Sequence, residues 1–154
     1  MEFFLVRHGD ARPSSEDPRR PLSERGREEV EVVARPAASR IAVSAIFHSD
    51  KLRARETAEI MARFVRPQKG VKEISGLAPD DDPWIAKAEL ETADAPVMLV
   101  GHLPHLARLA SLLLTGQSER TMLDFSTATV VCLAFERGAW NFCWSIAPDD
   151  LPRS

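Results

Sequence analysis

Short apolar runs alternate with helical stripes of apolar residues along the whole chain. This alternation is typical of α/β proteins, in which helices connect the strands and cover both faces of the sheet. Six strands are predicted, at Phe3–Val6, Ala45–His48, Val71–Ile74, Pro96–Val100, Thr129–Phe135 and Trp140–Ile146. We therefore expect a three-layer α/β/α sandwich with a mainly parallel central sheet flanked by helices and a C-terminal β-hairpin.

The first two predicted helices lie on either side of the second strand. Ser23 is a suitable N-cap for the first helix. Pro36 should stop or kink this helix, because the proline ring would clash with the carbonyl of Val32. The second helix runs from about Lys51 to Phe64, where apolar residues recur at helical spacing, and Pro67 closes it.

The two later helices carry proline near their starts. Asp82 followed by Pro83 is the pattern of an N-cap and a proline in the first helical turn. The last helix begins near Pro104, carries an apolar inner face and ends before Gly116. Residues 136–139 then join the last two strands, and we expect a hairpin there.

Composition places the chain among ordinary globular proteins. Its 154 residues are 44% hydrophobic and 28% charged, which suits one domain over residues 1–154 with a core of its own. The net charge of -3 gives no electrostatic reason to expect nucleic acid as a partner. The longest apolar stretch is too short to span a membrane and Met1-Glu2 does not open a signal peptide, so we expect a cytoplasmic protein.

The two cysteines are expected to be free thiols. Cys132 and Cys143 both stand in apolar runs, where cysteine is usually a small buried hydrophobe, and two cysteines cannot alone form a four-ligand zinc site. If Arg137 and Gly138 form a two-residue turn, the register places Cys132 opposite Cys143 with both side chains on one face. No bond is expected between them, because cytosolic thiols stay reduced and a flat cross-strand disulfide is strained.

Polar side chains stand at three junctions between a predicted strand and the following helix. Arg7 and His8 follow the first strand, Arg53 lies in the first turn of the second helix, and His102 follows the fourth strand. The carboxyl ends of parallel strands share one edge of a sheet, where α/β proteins bind their ligands. Guanidinium groups and helix N-termini both favour anions, so these four residues predict a pocket for a phosphate group.

The same motifs resemble a known family. Three motifs together resemble those of the histidine phosphatase superfamily. They are Arg7-His8-Gly9, the stretch from Ser49 to Ala58 with its spaced serine, arginine and threonine, and the later Gly101-His102. The short chain, the Arg-His-Gly-Asp-Ala opening and the Gly-His-Leu-Pro segment are most similar to the SixA-type phosphohistidine phosphatases. This resemblance extends from Phe3 to Trp144.

The resemblance implies covalent phosphoryl transfer through a histidine. His8, as a neutral imidazole, would attack phosphorus and become a phosphohistidine, which water then hydrolyses. Arg7, Arg53 and His102 would hold the phosphoryl oxygens and stabilise the transition state, and Arg20 would contact the substrate. We expect no metal and no cofactor, since the chain shows neither an HExxH pattern nor a carboxylate cluster.

Three further basic residues near these motifs are expected to lie outside the catalytic set. Arg55 is about 200° around the helix from Arg53 and should face solvent. His48 is expected to pack or to hydrogen-bond at the sheet edge. His105, one helical turn after His102, is expected to be a surface histidine.

The general acid has no clear candidate. Larger relatives in the superfamily carry a glutamate on a segment inserted after the third strand, whereas this chain has only a short loop there. Asp80 or Asp81 would be the nearest donor, Asp82 is expected to cap a helix, and Asp10 and Asp17 are weaker candidates. A phosphohistidine substrate needs no strong acid, because its P–N bond breaks readily once the leaving imidazole is protonated.

Three functions stay open at this point. The first is a phosphatase for phosphohistidine on a protein, such as a phosphotransfer or carrier domain, and the lack of lid material favours it. The second is a small-molecule phosphomonoesterase of the same superfamily, which the missing glutamate disfavours. The third is a phosphate-recognising module without turnover, which would have no need of the nucleophile His8.

Overall fold

Strands and helices alternate along the chain, as a computed structural model shows for residues 1–120 and 123–152. Within these ranges the strands are β1 (Glu2–Arg7), β2 (Ala45–His48), β3 (Val71–Glu73), β4 (Val97–Gly101), β5 (Val130–Glu136) and β6 (Ala139–Ile146). The helices are α1 (Glu24–Ala37), α2 (Leu52–Val65), α3 (Pro83–Glu91) and α4 (His105–Thr115). None of the helices in the described ranges has the length and apolar character needed to cross a bilayer. Every predicted strand is present, with its ends shifted by at most one residue.

The strands form one mixed sheet in the order β3-β2-β4-β1-β5-β6. β3, β2, β4 and β1 run parallel, whereas β5 and β6 are antiparallel to their neighbours. Arg7 stands opposite Gly101 in the register of β1 and β4. The segments that follow these two strands therefore leave the sheet side by side at its carboxyl edge.

Helices cover both faces of the sheet, which confirms the three-layer prediction. Phe4 and Val6 of β1 pack into the core on the side of α1 and α2. Phe3 and Leu5 pack into the opposite core, together with α3 and α4. Successive side chains of a strand alternate between faces, so a strand buried on both sides is apolar throughout. This explains the continuous apolar run at the start of the sequence.

Side-chain caps start two helices where the sequence predicts them. Ser23 Oγ accepts a hydrogen bond from the Gly26 amide at 2.9 Å at the start of α1. Asp82 accepts one from the Trp84 amide at 3.0 Å, with Pro83 in the first turn of α3. Each cap satisfies an amide that has no partner inside its helix.

α1 continues one residue past Pro36, where the sequence predicts a stop or a kink. The helix ends at Ala37, and a 3₁₀ turn follows over Ala38–Arg40. A proline ring clashes with the carbonyl four residues earlier, and proline has no N–H to donate to that carbonyl. Because Pro36 stands one residue before the end of α1, this disruption is confined to the last turn of the helix. The chain completes that turn and then tightens into 3₁₀ geometry.

The C-terminal hairpin forms as predicted, but its register changes partway along the strands. Arg137 and Gly138 both have positive φ, as the two central residues of a type I′ turn require. The pairing then shifts by one residue between Cys132 and Leu133, so Cys132 stands opposite Trp144. The predicted pairing of Cys132 with Cys143 is therefore wrong, because a bulge in the strands intervenes.

The two sulfurs are nevertheless close, and they are not bonded. The Sγ atoms of Cys132 and Cys143 lie within 4.8 Å of each other. A bulge sets two residues of one strand against one residue of its partner, so Cys143 keeps its side chain near that of Cys132. Cys132 is buried as expected, whereas Cys143 is exposed. The sequence misplaces Cys143 because β6 is an edge strand that the helices cover only in part.

Candidate active site

The end of β1 is fixed by hydrogen bonds to two backbone carbonyls, those of Gly101 and Phe125. The His8 amide donates to the Gly101 carbonyl at 3.0 Å, which continues the pairing with β4 past the end of the strand. The Arg7 guanidinium donates through Nη1 to the Phe125 carbonyl at 2.8 Å. Burial lowers the pKa of Arg7, yet a guanidinium remains charged in proteins. The Arg7 guanidinium therefore places a positive charge at the carboxyl edge of the sheet, where its hydrogen bond to Phe125 restrains it.

His8 is a neutral imidazole with its proton on a defined nitrogen. Its Nδ1 lies 2.7 Å from the Gly9 carbonyl, which can only accept, so Nδ1 carries the proton and Nε2 the lone pair. The pKa of His8 falls to about 4, mainly through burial and also through the charges of Arg53, Arg7 and Arg20, although the bond to Gly9 opposes the shift. At neutral pH, Nε2 has the electronic state of a nucleophile.

Thr57 ties the turn after β1 to α2. Its Oγ1 accepts a hydrogen bond from the Gly9 amide at 3.0 Å and donates one to the Arg53 carbonyl at 2.8 Å. A Cβ on Gly9 would lie 2.8 Å from Cγ2 of Val30, so the close approach of this turn to α1 requires glycine. These contacts hold His8 against the first turn of the helix that carries Arg53.

Arg53 and Arg20 add positive charge beside His8. Arg53 is half-buried, and its pKa is lowered by burial and by the charge of Arg20. Arg20 is also half-buried; its Nε donates to the Arg12 carbonyl at 3.1 Å, and its backbone has a φ of 49°. Guanidinium groups this close together repel one another, so a negative charge placed between them is favoured.

Ser49 orients His102. The Ser49 hydroxyl oxygen lies 2.6 Å from Nε2 of His102 and accepts a hydrogen bond from the Lys51 amide at 3.2 Å. The hydroxyl can donate its own proton to Nε2 while its oxygen accepts from the Lys51 amide, and in that arrangement the proton of the neutral imidazole is on Nδ1. His102 then presents an N–H donor from the first residue after β4.

The rings of His8 and His102 are neighbours in the site, with their planes tilted by 51° to each other. Their centroids are 5.0 Å apart. The pKa of His102 falls to about 3, mainly through burial and further through His8 and the charge of Arg53. Both imidazoles are therefore neutral near pH 7, and the positive charge of the site belongs to its arginines.

Buried donors without partners concentrate at this place. In the described parts of the chain, five buried side-chain nitrogens lack a hydrogen-bond partner, and three of them are Arg7 Nε, Arg53 Nε and His102 Nδ1. Buried polar atoms are almost always paired, so a group of unpaired donors indicates a binding site for an acceptor. The structure thus brings the four predicted residues to one sheet edge with donors suited to an oxyanion.

The remaining two unpaired nitrogens belong to His105, which is fully buried. The prediction of a surface histidine is therefore wrong. The loop between β3 and α3 lies over the start of α4, with the Gly76 backbone and the Asp81 carboxylate near the imidazole. Burial lowers the pKa of His105, and the charge of Asp81 opposes this effect. A loop distant in sequence covers this position, and no local pattern indicates that.

Two other basic residues lie where the sequence predicts them. His48 is buried at the end of β2, and its Nδ1 lies 2.7 Å from the Ser49 carbonyl. Arg55 is exposed and pairs with Glu59 at 3.8 Å. Neither contacts His8 through a hydrogen bond or an ion pair described for these residues.

The candidate acids hold loops in place. Asp81 Oδ2 accepts a hydrogen bond from the amide three residues earlier at 2.9 Å, Asp82 caps α3 as predicted, and Asp80 is exposed. Asp10 accepts a hydrogen bond from the hydroxyl that caps α1 at 2.6 Å, and Asp17 bonds to the backbone amide of the arginine two residues later. These contacts give most of the nearby carboxylates a structural role.

A groove of about 550 Å³ opens beside Arg53. It lies between the loop before α1 and the first turn of α2, so it adjoins the residues described above. Its charged lining consists of Arg19, Arg20, Lys51, Arg53 and Arg55, with Asp50 and Glu73. The excess of positive charge makes it a suitable approach for an acidic partner.

Ser49 and Thr57 are functional positions to which the sequence assigns no role. Both belong to the motif between Ser49 and Ala58, so their type and spacing carry a signal. Their partners, however, lie 53 and 48 residues away in the chain, at His102 and Gly9. Only the folded arrangement shows that these hydroxyls position other residues of the site.

A neutral histidine beside guanidinium groups, at the carboxyl ends of the parallel strands of a mixed sheet, defines a class of phosphoryl-binding site. The chain belongs to the histidine phosphatase superfamily, and the family model for branch 1 of that superfamily matches residues 3–78. The protein is accordingly a hydrolase of the histidine-phosphatase type.

The similarity extends to whole proteins. The chain is 27% identical over 158 residues to phosphohistidine phosphatase SixA of Escherichia coli strain K12, a match covering 98% of this chain and 96% of SixA. A structure of protein histidine phosphatase SixA complexed with tungstate has a TM-score of 0.88 at 26% identity, covering 99% of this chain and 100% of that one.

Structures with other activities share the fold. The alpha-ribazole phosphatase from Shigella flexneri has a TM-score of 0.74 at 14% identity, covering 93% of this chain and 95% of that one. At this level of identity the likeness shows the fold alone. Substrate choice therefore has to be argued from the site.

Proposed function

We propose that this protein hydrolyses phosphohistidine on another protein through a phosphohistidine intermediate formed on His8. The observation that carries the proposal is the state of the His8 ring. Its Nδ1–H is held by the Gly9 carbonyl and its pKa lies near 4, so Nε2 is an unprotonated base beside guanidinium groups. Attack on phosphorus requires this state, and a merely phosphate-binding module does not.

The reaction proceeds in two displacements at phosphorus. Nε2 of His8 attacks in line, and the bond from phosphorus to the substrate imidazole breaks as that nitrogen takes a proton. Water then attacks the phosphorus bound to His8, the electron pair returns to Nε2, and phosphate leaves. Arg7, Arg53 and the Nδ1–H of His102 stabilise the phosphoryl oxygens in both steps. Guanidinium charge does this without a metal ion.

The comparison with SixA supports an oxyanion between these donors. Tungstate is tetrahedral and anionic like phosphate, and a SixA structure with 26% identity to this chain contains it. The unpaired donors of Arg7, Arg53 and His102 offer such an anion three contacts. Arg20 adds a further positive charge, and we assign it to substrate binding.

The surroundings of the site favour a protein substrate. The groove beside Arg53 is lined mainly by positive side chains and is open to solvent. The loop between β3 and α3 spans only residues 74–82, which leaves little chain to enclose a metabolite. A phosphohistidine exposed on a folded domain can reach such a site without being enclosed.

The contacts of the loop carboxylates favour a P–N bond over a phosphate ester. Asp81 closes a turn and Asp82 caps α3, so backbone amides hold both carboxylates in place. An alkoxide needs a proton donor to leave, whereas an imidazole is protonated more readily. We therefore expect hydrolysis of phosphohistidine and phosphoramidate to exceed that of alkyl phosphates.

The test compares three substrates in the presence of EDTA: a phosphohistidine-bearing phosphotransfer domain, phosphoramidate and a sugar phosphate. His8→Ala should abolish turnover and the acid-labile phosphoenzyme. Arg53→Ala should slow the reaction about 10²-fold, as for the loss of one preorganised donor. Arg63→Ala, at an exposed ion pair with Glu31 at the other end of α2, serves as the matched control.

Two outcomes would contradict the proposal. Turnover that persists in His8→Ala, or that returns only when a divalent metal is added, would rule out the covalent mechanism. Faster hydrolysis of the sugar phosphate than of both P–N substrates would identify a small-molecule phosphomonoesterase instead.

A further inference from the structure

A carboxylate and two thiols meet on the sheet near the beginning of β1. One carboxylate oxygen of Glu2 and the Sγ atoms of Cys132 and Cys143 all lie within 4.8 Å of one another. They come from three adjacent strands, β1, β5 and β6. Across residues 1–120 and 123–152, this is the one place where three side chains of the metal-binding types come so close.

The cluster is remote from the phosphatase site and open to solvent. Glu2 opens β1 whereas His8 follows its other end, so about 20 Å of extended strand separates them. Within the cluster, Cys132 is buried, whereas Glu2 and Cys143 are exposed. An ion can therefore reach the cluster without passing the phosphoryl-binding residues.

We propose that Glu2, Cys132 and Cys143 form a binding site for a thiophilic divalent cation such as Zn²⁺. Each thiol releases one proton to solvent as its sulfur coordinates the ion, the carboxylate supplies the third ligand and water the fourth. No oxidation state changes. With Zn–S bonds of about 2.3 Å, tetrahedral geometry sets two sulfurs about 3.8 Å apart, and the two sulfurs already lie within 4.8 Å of each other, so they need to move together by about 1 Å at most.

The bulge in the C-terminal hairpin makes this arrangement possible. Trp144 takes the position opposite Cys132 and packs against Phe4, with ring centroids 5.9 Å apart. Cys143 is the extra residue of β6 and stays near Cys132 on an edge strand that can adjust. A metal held here links β1, β5 and β6 and stabilises the folded state over the unfolded chain.

The test titrates the full-length reduced protein with Cd²⁺, whose bonds to thiolate absorb in the ultraviolet. We expect the band to saturate at one ion per chain. Cys143→Ser should abolish the band, and Glu2→Gln should weaken binding about tenfold or more. Asp94→Asn, at an exposed carboxylate elsewhere, is the matched control and should bind as the unmodified protein does. Zn²⁺ should raise the melting temperature, and Cys143→Ser should lose this effect.

Several results would overturn the proposal. They are the absence of a thiolate band at stoichiometric Cd²⁺, saturation at one ion per two chains, and a full band in Cys143→Ser. Circular dichroism of each variant excludes misfolding as the cause. His8→Ala should bind Cd²⁺ normally, so the outcome is independent of the proposed phosphatase activity.

Discussion

Ser49 Oγ lies 2.6 Å from Nε2 of His102 and joins the end of β2 to the end of β4 across 53 residues of sequence. Ser49 is almost fully buried, and its hydroxyl oxygen also accepts a hydrogen bond from the Lys51 amide. The hydroxyl thereby fixes the orientation of the imidazole. In the proposed reaction, His102 donates its Nδ1–H to the phosphoryl group although its own ring is uncharged.

Replacing Ser49 should impair the chemical step more than substrate binding. Ser49→Ala should lower kcat for a phosphohistidine protein about tenfold or more, because His102 loses its orientation, and should change KM less. Steady-state kinetics measure this split. Ser44→Ala removes a hydroxyl just before β2 that contacts the Pro96 carbonyl at 3.2 Å, and it should leave kcat unchanged. Equal losses in both variants would contradict the assigned role.

Replacing Thr57 should cost stability as well as activity. Thr57→Val removes the hydroxyl that accepts the buried Gly9 amide, and a buried amide left unpaired costs about 1–3 kcal/mol. Urea unfolding measures the loss in the free energy of unfolding. Thr57→Ser keeps the acceptor and should recover most of it. A Thr57→Val protein as stable as the original would show that the Gly9 amide finds another partner.

The pH profile of activity should extend well into the acid range. The pKa of His8 lies near 4, so its imidazole stays unprotonated at pH values where an ordinary histidine is charged. We expect the acid limb of kcat/KM to fall nearer pH 4 than pH 6.5. An acid-stable P–O substrate allows this measurement, and a limb at 6.5 or above would show that His8 is not shifted in solution.

Stability should decline as the pH falls over the same range. In the unfolded chain, His8 and His102 take up protons near pH 6.5, but in the folded protein their pKa values are about 4 and about 3. Below pH 6.5 the unfolded state therefore binds more protons, and the free energy of unfolding drops by up to about 1.4 kcal/mol per pH unit for each histidine. Unfolding at pH 7 and pH 5 tests this, and His8→Gln should reduce the slope.

The loop carboxylates should matter little for a P–N substrate. The double variant Asp80→Asn with Asp81→Asn should hydrolyse a phosphohistidine protein within about twofold of the original rate, because the leaving imidazole needs no strong acid. The asparagine at 81 keeps an acceptor for the Ala78 amide, so the turn is preserved. Loss of a measurable sugar-phosphatase activity in this variant would instead identify one of these residues as a general acid.

The positive groove should affect protein substrates selectively. Arg55→Glu places a negative charge in the lining of the groove and should raise KM for an acidic phosphoprotein severalfold, most strongly at low salt, while leaving phosphoramidate hydrolysis unchanged. Arg63→Glu, on the same helix but outside the groove, is the matched control. Equal effects of the two variants would show a general charge effect rather than docking.

Much of the fold and the positions of the main site residues follow from local sequence. The apolar run Phe3–Val6 predicts a strand buried on both faces, and Ser23 and Asp82 cap helices through contacts a few residues away. Parallel strands place their carboxyl ends at one edge, which is why the sequence alone predicts that Arg7, His8, Arg53 and His102 lie together. These signals depend on periodicity and neighbouring residues, so the sequence alone carries them.

The tertiary structure alone decides which long-range contacts complete the site and which positions become buried. Ser49 contacts His102, and Thr57 contacts Gly9, across about a third of the chain. A loop from another part of the fold covers His105, and a bulge changes the register of the hairpin at Cys132. Such contacts depend on how layers and loops pack once the chain has folded, and a local pattern does not encode that choice. The sequence thus determined the architecture and the chemistry at the strand ends, whereas packing decided how that chemistry is oriented.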